Sequence, residues 1–188
     1  RPDEITIADL LREAGYATGH FGKWHVGPVK IDSPTNPGAM GFDQWLSHDN
    51  FFELNPVLSS NGDTPSRIEG ESSSVLVDAA IDFISNSQAS EQPFFAVVWF
   101  GSPHEPYSGL DEDLELYDNL PSRYAEKIVT LTSNHTGLQT RRPLREVLRE
   151  RYAEITAMDR AIGKLRDYLE RAGLKNNTLL WYKGDNGT

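Results

Sequence analysis

The 188 residues contain no cysteine, which removes disulfides, thiolate metal sites and a cysteine nucleophile from this stretch and leaves its redox compartment open. No run approaches the ~18 consecutive apolar residues of a membrane span, and no basic-then-apolar leader opens the chain. Neither a membrane span nor a secretory precursor is therefore expected at its first residue. Positive charge is scarce: 18 Lys plus Arg stand against 28 Asp plus Glu, a formal charge of -10. A chain of that sign lacks the electrostatic footprint of a nucleic-acid binder, so no nucleic-acid partner is expected. The same field repels anionic substrates, and a sulfate or phosphate site would have to rest on a local cluster of cations. What is present is a 38% hydrophobic, 24% charged composition, the balance of a soluble globular protein, at a length that suits one domain.

Three helix-then-strand units stand out. Ile7, Leu10, Leu11 and Ala14 fall at helical spacing, with Thr6 to cap the start and Gly15 to close the end, before a strand-like run over 16–21. Leu76, Ala79, Ala80, Phe83 and Ile84 make a second amphipathic helix behind the Ser72-Ser73-Ser74 cap region, and 94–100 is an apolar run typical of a buried strand. Leu148, Tyr152, Ile155, Met158, Ile162, Leu165 and Leu169 keep the helical period until Gly173, and a third strand is expected over 178–182. This pattern predicts an α/β fold, an open, mostly parallel sheet sandwiched by helices, as one domain over 1–188. Residues 26–70 and 102–143, rich in Pro, Gly and polar residues, read as long irregular excursions around a cleft.

Ligands of open α/β sheets bind beyond the carboxyl ends of the strands. Each expected strand end is chemically capable. After the first comes Gly22-Lys23-Trp24-His25, where an ammonium and an imidazole two positions apart would share one side of an extended segment; the alternative is a surface lysine beside a core histidine. After the second comes Ser102-Pro103-His104-Glu105-Pro106, whose prolines stiffen the backbone around His104, although a locally satisfied loop histidine fits equally. After the third comes Gly184-Asp185-Asn186-Gly187, a carboxylate and an amide oxygen suited to Ca²⁺ or Mg²⁺, and also an ordinary turn sequence. His48-Asp49 reads as a solvated loop pair, His20 lies in a strand body, and Asp159 belongs to a solvated helix face. The four tryptophans are scattered as core residues are.

The run Gly15-Tyr16-Ala17-Thr18-Gly19-His20-Phe21-Gly22-Lys23-Trp24-His25-Val26-Gly27 resembles the second signature of the sulfatases. Further matches follow in that family's order: Gly41-Phe42-Asp43, Pro93-Phe94-Phe95 leading to Pro103-His104, Ala157-Met158-Asp159, and Asn177-Thr178-Leu179 leading to Asp185-Asn186-Gly187. The resemblance implies an alkaline-phosphatase-like fold and an arylsulfatase-like sulfuric ester hydrolase with one divalent cation, Ca²⁺ or alternatively Mg²⁺. By position it implies that Lys23 binds the sulfate and steadies the nucleophile, that His25 is the base that helps break the sulfated intermediate, that His104 contacts a sulfate oxygen, and that Asp185 and Asn186 are metal ligands. A sulfated small molecule or carbohydrate is the implied substrate, and export to a periplasmic, secreted or lysosomal location the implied destination.

The sulfatase nucleophile is a formylglycine made from the Cys or Ser of a Cys-x-Pro-x-Arg motif, accompanied by a pair of metal-binding aspartates; neither occurs in these 188 residues, so both are expected upstream. The chain then reads as an internal fragment whose parent carries the activity, inactive alone and poor in Ca²⁺ affinity. Lys183 stands where the family commonly has a small hydroxyl residue. A phosphonate or phosphodiester hydrolase of the same superfamily, and a degenerate, non-catalytic binding protein, are the competing readings.

Overall fold

The computed structural model describes residues 3–50, 52–133 and 136–184. Its first helix, α1 (Ile7–Glu13), starts on a capping box in which Thr6 accepts the Asp9 N–H while the Asp9 carboxylate accepts the Thr6 N–H. Gly15, just past the end, takes the left-handed conformation that releases the chain into β1 (Ala17–Lys23). Strands β2 (Gln44–His48), β3 (Val57–Ser60) and β4 (Ser66–Arg67) precede the long helix α2 (Ser72–Ala89), which leads into β5 (Phe94–Trp99). A short helix α3 (Asp111–Glu115) and the hairpin β6 (Ile128–Thr132) and β7 (Gln139–Pro143) precede α4 (Leu144–Arg171). The main sheet is open and mixed, in the order β4-β3-β2-β1-β5. Strand β1, between β2 and β5, pairs parallel with both, whereas β3 and β4 join antiparallel.

Helices cover both faces. On one, Leu76, Val77, Ala80, Phe83 and Ile84 of α2 meet Ala161, Leu165 and Leu169 of α4 over Phe21 and the half-buried Ala96 and Val98. Each fully buried Leu or Phe there adds about 1.5–3 kcal/mol. On the other, Ala8 of α1 packs with Trp24, Val29, Met40 and Phe42 against Phe95 and Val97. The Gly41-Phe42-Asp43 segment latches β2 to β1: the Thr18 hydroxyl donates to the Gly41 carbonyl at 2.8 Å, and the Asp43 N–H donates back to that hydroxyl at 3.0 Å. A Cβ on Gly41 would sit 2.4 Å from the Asp9 nitrogen, so α1 rests directly on this glycine.

Several expectations from sequence need correction. The supposed excursion over 26–70 supplies three strands of the sheet; their short, polar-rich segments carry little apolar periodicity, and pairing of β2 with β1, of β3 with β2 and of β4 with β3 decides their structure. The α2 N-cap is Glu71, whose carboxylate accepts the N–H groups of Ser73 and Ser74, so the serines lie inside the first turn. Strand β5 is only half buried because it lies at a sheet edge. The apolar stretch 178–182 forms no strand among the described residues; without a neighbouring strand to satisfy its backbone it stays outside the sheet, leaving Leu179 and Trp181 85% and 77% exposed.

The tightest point of the sheet is at Gly22, which stands in register with Trp99 and has a φ of 112°. A Cβ there would lie 2.0 Å from the Trp99 carbonyl oxygen and 2.9 Å from the Leu76 side chain. Gly22→Ala is expected to destabilise the protein by about 2–5 kcal/mol, from backbone strain plus overpacking. Urea unfolding measures this, and a change below ~0.5 kcal/mol would contradict the geometry.

His20 is fully buried in the same strand, its Nδ1 2.7 Å from the Ser47 hydroxyl and its ring edge-on to Trp24, Phe42 and Trp99. Nε2 finds no hydrogen-bond partner among the described residues. Burial pushes the imidazole pKa from 6.5 down to about 3. The unfolded chain thus takes up this proton near pH 6.5 and the folded chain only near 3, so stability held above pH 6.5 is lost as pH falls through that window. Between pH 7 and pH 4.5 the wild type should lose more unfolding free energy than His20→Gln, by on the order of 2 kcal/mol. Equal losses would show that His20 is not held neutral.

Candidate functional site

The parallel strands β1, β2 and β5 end on the same edge of the sheet, and the sequence around the end of β1 is shaped by how tightly that edge is packed. Gly22 leaves no room for a side chain between β1 and β5. Trp24, 3% exposed, wedges under the edge: its indole N–H donates to the Thr35 carbonyl at 2.7 Å and its ring stacks on Trp99 with centroids 5.9 Å apart. Gly27 is equally constrained, since a Cβ there would meet the Thr35 hydroxyl at 2.0 Å. In Gly22-Lys23-Trp24-His25-Val26-Gly27 the glycines and the tryptophan are thus packing requirements. Lys23 and His25 are the chemically capable residues that this packing leaves at the surface, half-buried and exposed respectively.

The ladder between β1 and β2 runs on past the strands. The Trp24 N–H donates to the His48 carbonyl at 2.8 Å and the His25 N–H to the Asp49 carbonyl at 3.0 Å. His25 itself has a φ of 52°, a left-handed conformation that histidine tolerates better than most residues. The extended segment expected to place Lys23 and His25 on one side therefore ends at Trp24, and the turn at His25 sets that imidazole's direction. Asp49 is fixed through its carboxylate, which accepts the Val29 N–H at 2.7 Å.

His48, read from sequence as half of a solvated loop pair, stands in register with Lys23 at the end of β2. Its Nδ1 accepts the Asn50 N–H at 3.0 Å, so a neutral ring carries its proton on Nε2. The polar stretch Gln44–His48 showed no apolar run that would have marked a strand end here, and a histidine that closes a strand parallel to the Lys23 strand is the signal that was available.

His104 follows β5 on the same edge. Its backbone N–H donates to the Gly101 carbonyl at 3.1 Å, and its Nδ1–H donates to the Glu105 carbonyl at 3.0 Å, which makes Nε2 the lone-pair nitrogen of the neutral ring. The peptide bonds Ser102–Pro103 and Glu105–Pro106 on either side are both cis. Asp185 and Asn186 lie outside the described residues, and among the described residues no group of three or more His, Cys, Asp or Glu side chains converges as a metal site does. Lys183, at the last described turn of chain, is exposed. Of the tryptophans expected in the core, Trp24 and Trp45 are buried, whereas Trp99 is 45% exposed beside the site.

Topology therefore gathers Lys23, His25, His48 and His104 on one edge, an ammonium with three imidazoles in a chain of net charge -10. Lysine offers three N–H donors and a point charge for an oxyanion, and imidazole exchanges protons near neutral pH. The arrangement can grip an anionic group and move a proton beside it. Two open grooves, one of about 260 Å³ bordered by Asp43 and Asn86 and one of about 490 Å³ bordered by Arg145 and Arg149, include none of these four residues.

Comparison with known proteins bears on what this edge belongs to. The sulfatase family model matches residues 1–188. The ulvan-active sulfatase of Formosa agariphila is 27% identical over 188 residues, covering 98% of this chain and 35% of that protein. Arylsulfatase G of Canis lupus familiaris is 31% identical over 200 residues, covering 98% of this chain and 35% of that protein. A structure solved in complex with its substrate D-glucosamine-2-N,6-O-disulfate superposes with a TM-score of 0.68 at 21% identity, over 94% of this chain and 48% of that one, a likeness of fold. The chain spans about 35% of the length of these two curated relatives. Its open mixed sheet with covering helices is the alkaline-phosphatase-like fold of its structural neighbours. With its fold shared and the family model matched over all 188 residues, the chain belongs to the sulfatase family.

Proposed function

We propose that the protein carrying this chain is a sulfuric ester hydrolase that removes sulfate from sulfated carbohydrates. The observation that carries the reading is the Lys23-Trp24-His25 wedge, which brings an ammonium and an imidazole to the edge shared with His104. The substrate class is supported by the relatives' own descriptions, one ulvan-active and one bound to a disulfated glucosamine.

In this reading Lys23 holds the sulfate by charge and N–H donation, and its place where β1 meets β5 keeps it there without reorganisation as negative charge shifts during reaction. His25, turned out by its left-handed backbone, takes or delivers the proton. His104 has its Nδ1–H committed to the Glu105 carbonyl, so it donates to a sulfate oxygen through Nε2 only as the imidazolium, adding a second positive charge. A divalent cation, Ca²⁺ or Mg²⁺ with Asp185 and Asn186 as candidate ligands, would neutralise part of the sulfate charge when bound. A formylglycine nucleophile, if the protein has one, is contributed by residues other than these 188.

In the whole protein, Lys23→Ala and His25→Ala should each lower kcat/KM for an aryl or sugar sulfate by about 10²–10⁴-fold. Both side chains are at least partly exposed, so thermal unfolding should change little in Lys23→Ala, with a modest loss in His25→Ala because alanine tolerates the left-handed backbone less well. The same wild-type protein should prefer a sulfate ester to the matching phosphate or phosphonate ester. Full activity in both variants would remove the assignment, and a preference for phosphorus esters would move the protein to a different reaction of the same fold.

A further inference from the structure

Glu154 is the buried acid for which neither the fold nor the proposed chemistry accounts. It lies in the middle of α4 and is 5% exposed, and its Oε2 has no hydrogen-bond partner among the described residues. Oε1 accepts the Ser108 N–H at 2.8 Å, four residues beyond His104. The Ser108 hydroxyl in turn accepts the Leu54 N–H at 3.0 Å, from the segment that follows His48. Two close contacts run beside this relay. A Cβ on Gly109 would meet the Ala153 methyl at 2.8 Å, and a Cβ on Gly101 would meet the Phe52 carbonyl at 3.2 Å. Glu154 and Ala153 are thus a seat on α4 for the loop that carries His104, and that loop is stitched at both ends to the segment leaving β2.

We propose that Glu154 is a positioning residue for the edge that carries Lys23, His25, His48 and His104: through Ser108 it seats both neighbouring loops on α4, and the seat loosens when its carboxyl group ionises. The proposal takes its catalytic meaning from the sulfatase reading; the seat itself does not depend on it. The groups facing Glu154 are Glu71 at the start of α2, Glu150 and Arg151 on α4, and Tyr107 in the loop, whose ring lies 5.8 Å from the Arg151 guanidinium and which also faces Glu105. Burial first, then the charges of Glu71 and Glu150, push the Glu154 carboxyl up to about 8, against the opposing pull of the Ser108 N–H and Arg151. Tyr107 is likewise raised, chiefly by burial. Because the folded value lies above the ordinary 4.5, the closed seat is at full strength below about pH 4.5, weakens as pH rises from there to about 8, and is weakest above that, where the ionised carboxyl gains more from hydration than from its contact.

The test compares the whole protein with Glu154→Gln, which keeps the oxygen acceptor and cannot ionise, and Glu154→Leu, which keeps the bulk and removes the acceptor. Hydrogen–deuterium exchange of peptides covering 101–110 and 52–55, corrected for intrinsic rates, is followed from about pH 4.5 to 9 together with kcat/KM for a sulfate ester. Wild-type protection of both peptides is expected to fall between about pH 4.5 and 8 and to level off above it, to stay level in Glu154→Gln, and to be low at every pH in Glu154→Leu, with kcat/KM about tenfold down. Equal protection in wild type and Glu154→Leu would overturn the proposal, as would a Glu154→Gln profile that follows the wild type. If Glu154→Leu does not fold, the comparison with Glu154→Gln decides alone. Exchange that behaves as expected in a protein that hydrolyses no sulfate ester would uphold the seat and refute the sulfatase reading.

Discussion

The close approach of β1 and β5 at Gly22 and Trp99 is the constraint on which the site depends. A backbone carbonyl 2.0 Å from where a Cβ would stand admits only glycine, and the strand can then bend away with Trp24 driven beneath it. The Trp24 indole is held by the Thr35 carbonyl and by the ring of Trp99, so the edge is braced from below by two aromatic planes and by the buried, neutral His20. Lys23 is the last residue of the strand and His25 the first of the turn. Their chemistry is displayed because everything around them is committed to packing.

A chain of charge -10 must also keep its own carboxylates from cancelling such a site. Three acids near this edge are held by backbone amides: Asp49 accepts the Val29 N–H, Glu71 the first amides of α2, and Glu154 the Ser108 N–H. Each of these hydrogen bonds fixes a carboxyl group in the service of a loop or a helix start, and the burial of Glu154 favours its neutral form.

Helical periodicity makes α2 and α4 legible, because their buried faces repeat over enough turns to stand above local noise; α1 was legible from its cap, since it buries only Ala8 and leaves Ile7 and Leu10 of its expected apolar face exposed. Even so, the face of α4 is turned from the one marked by its large residues: Tyr152 and Ile155 are exposed, and Ala153, Ala157 and Ala161 make the close contacts. Strands β2, β3 and β4 were illegible because a short polar strand owes its structure to the neighbour it pairs with: for β2 a strand distant in sequence, for β3 and β4 another strand as short and polar. The opposite holds for 178–182, apolar enough to read as a strand and left outside the sheet for want of a partner among the described residues. Of the site, Lys23, His25 and His104 were visible from their position after apolar runs, and the structure puts them on one edge. His48 needed the register, Glu154 needed the third dimension, and the candidate ligands Asp185 and Asn186 fall outside the described residues.

That this edge holds a sulfate group is put to the test by titrating the whole protein with inorganic sulfate and following its histidine ring resonances. Saturable shifts of the His25 and His104 signals, with the buried His20 unmoved and the response lost in Lys23→Ala, are the result expected. No saturable shift at His25 or His104, or an identical response in Lys23→Ala, would contradict it.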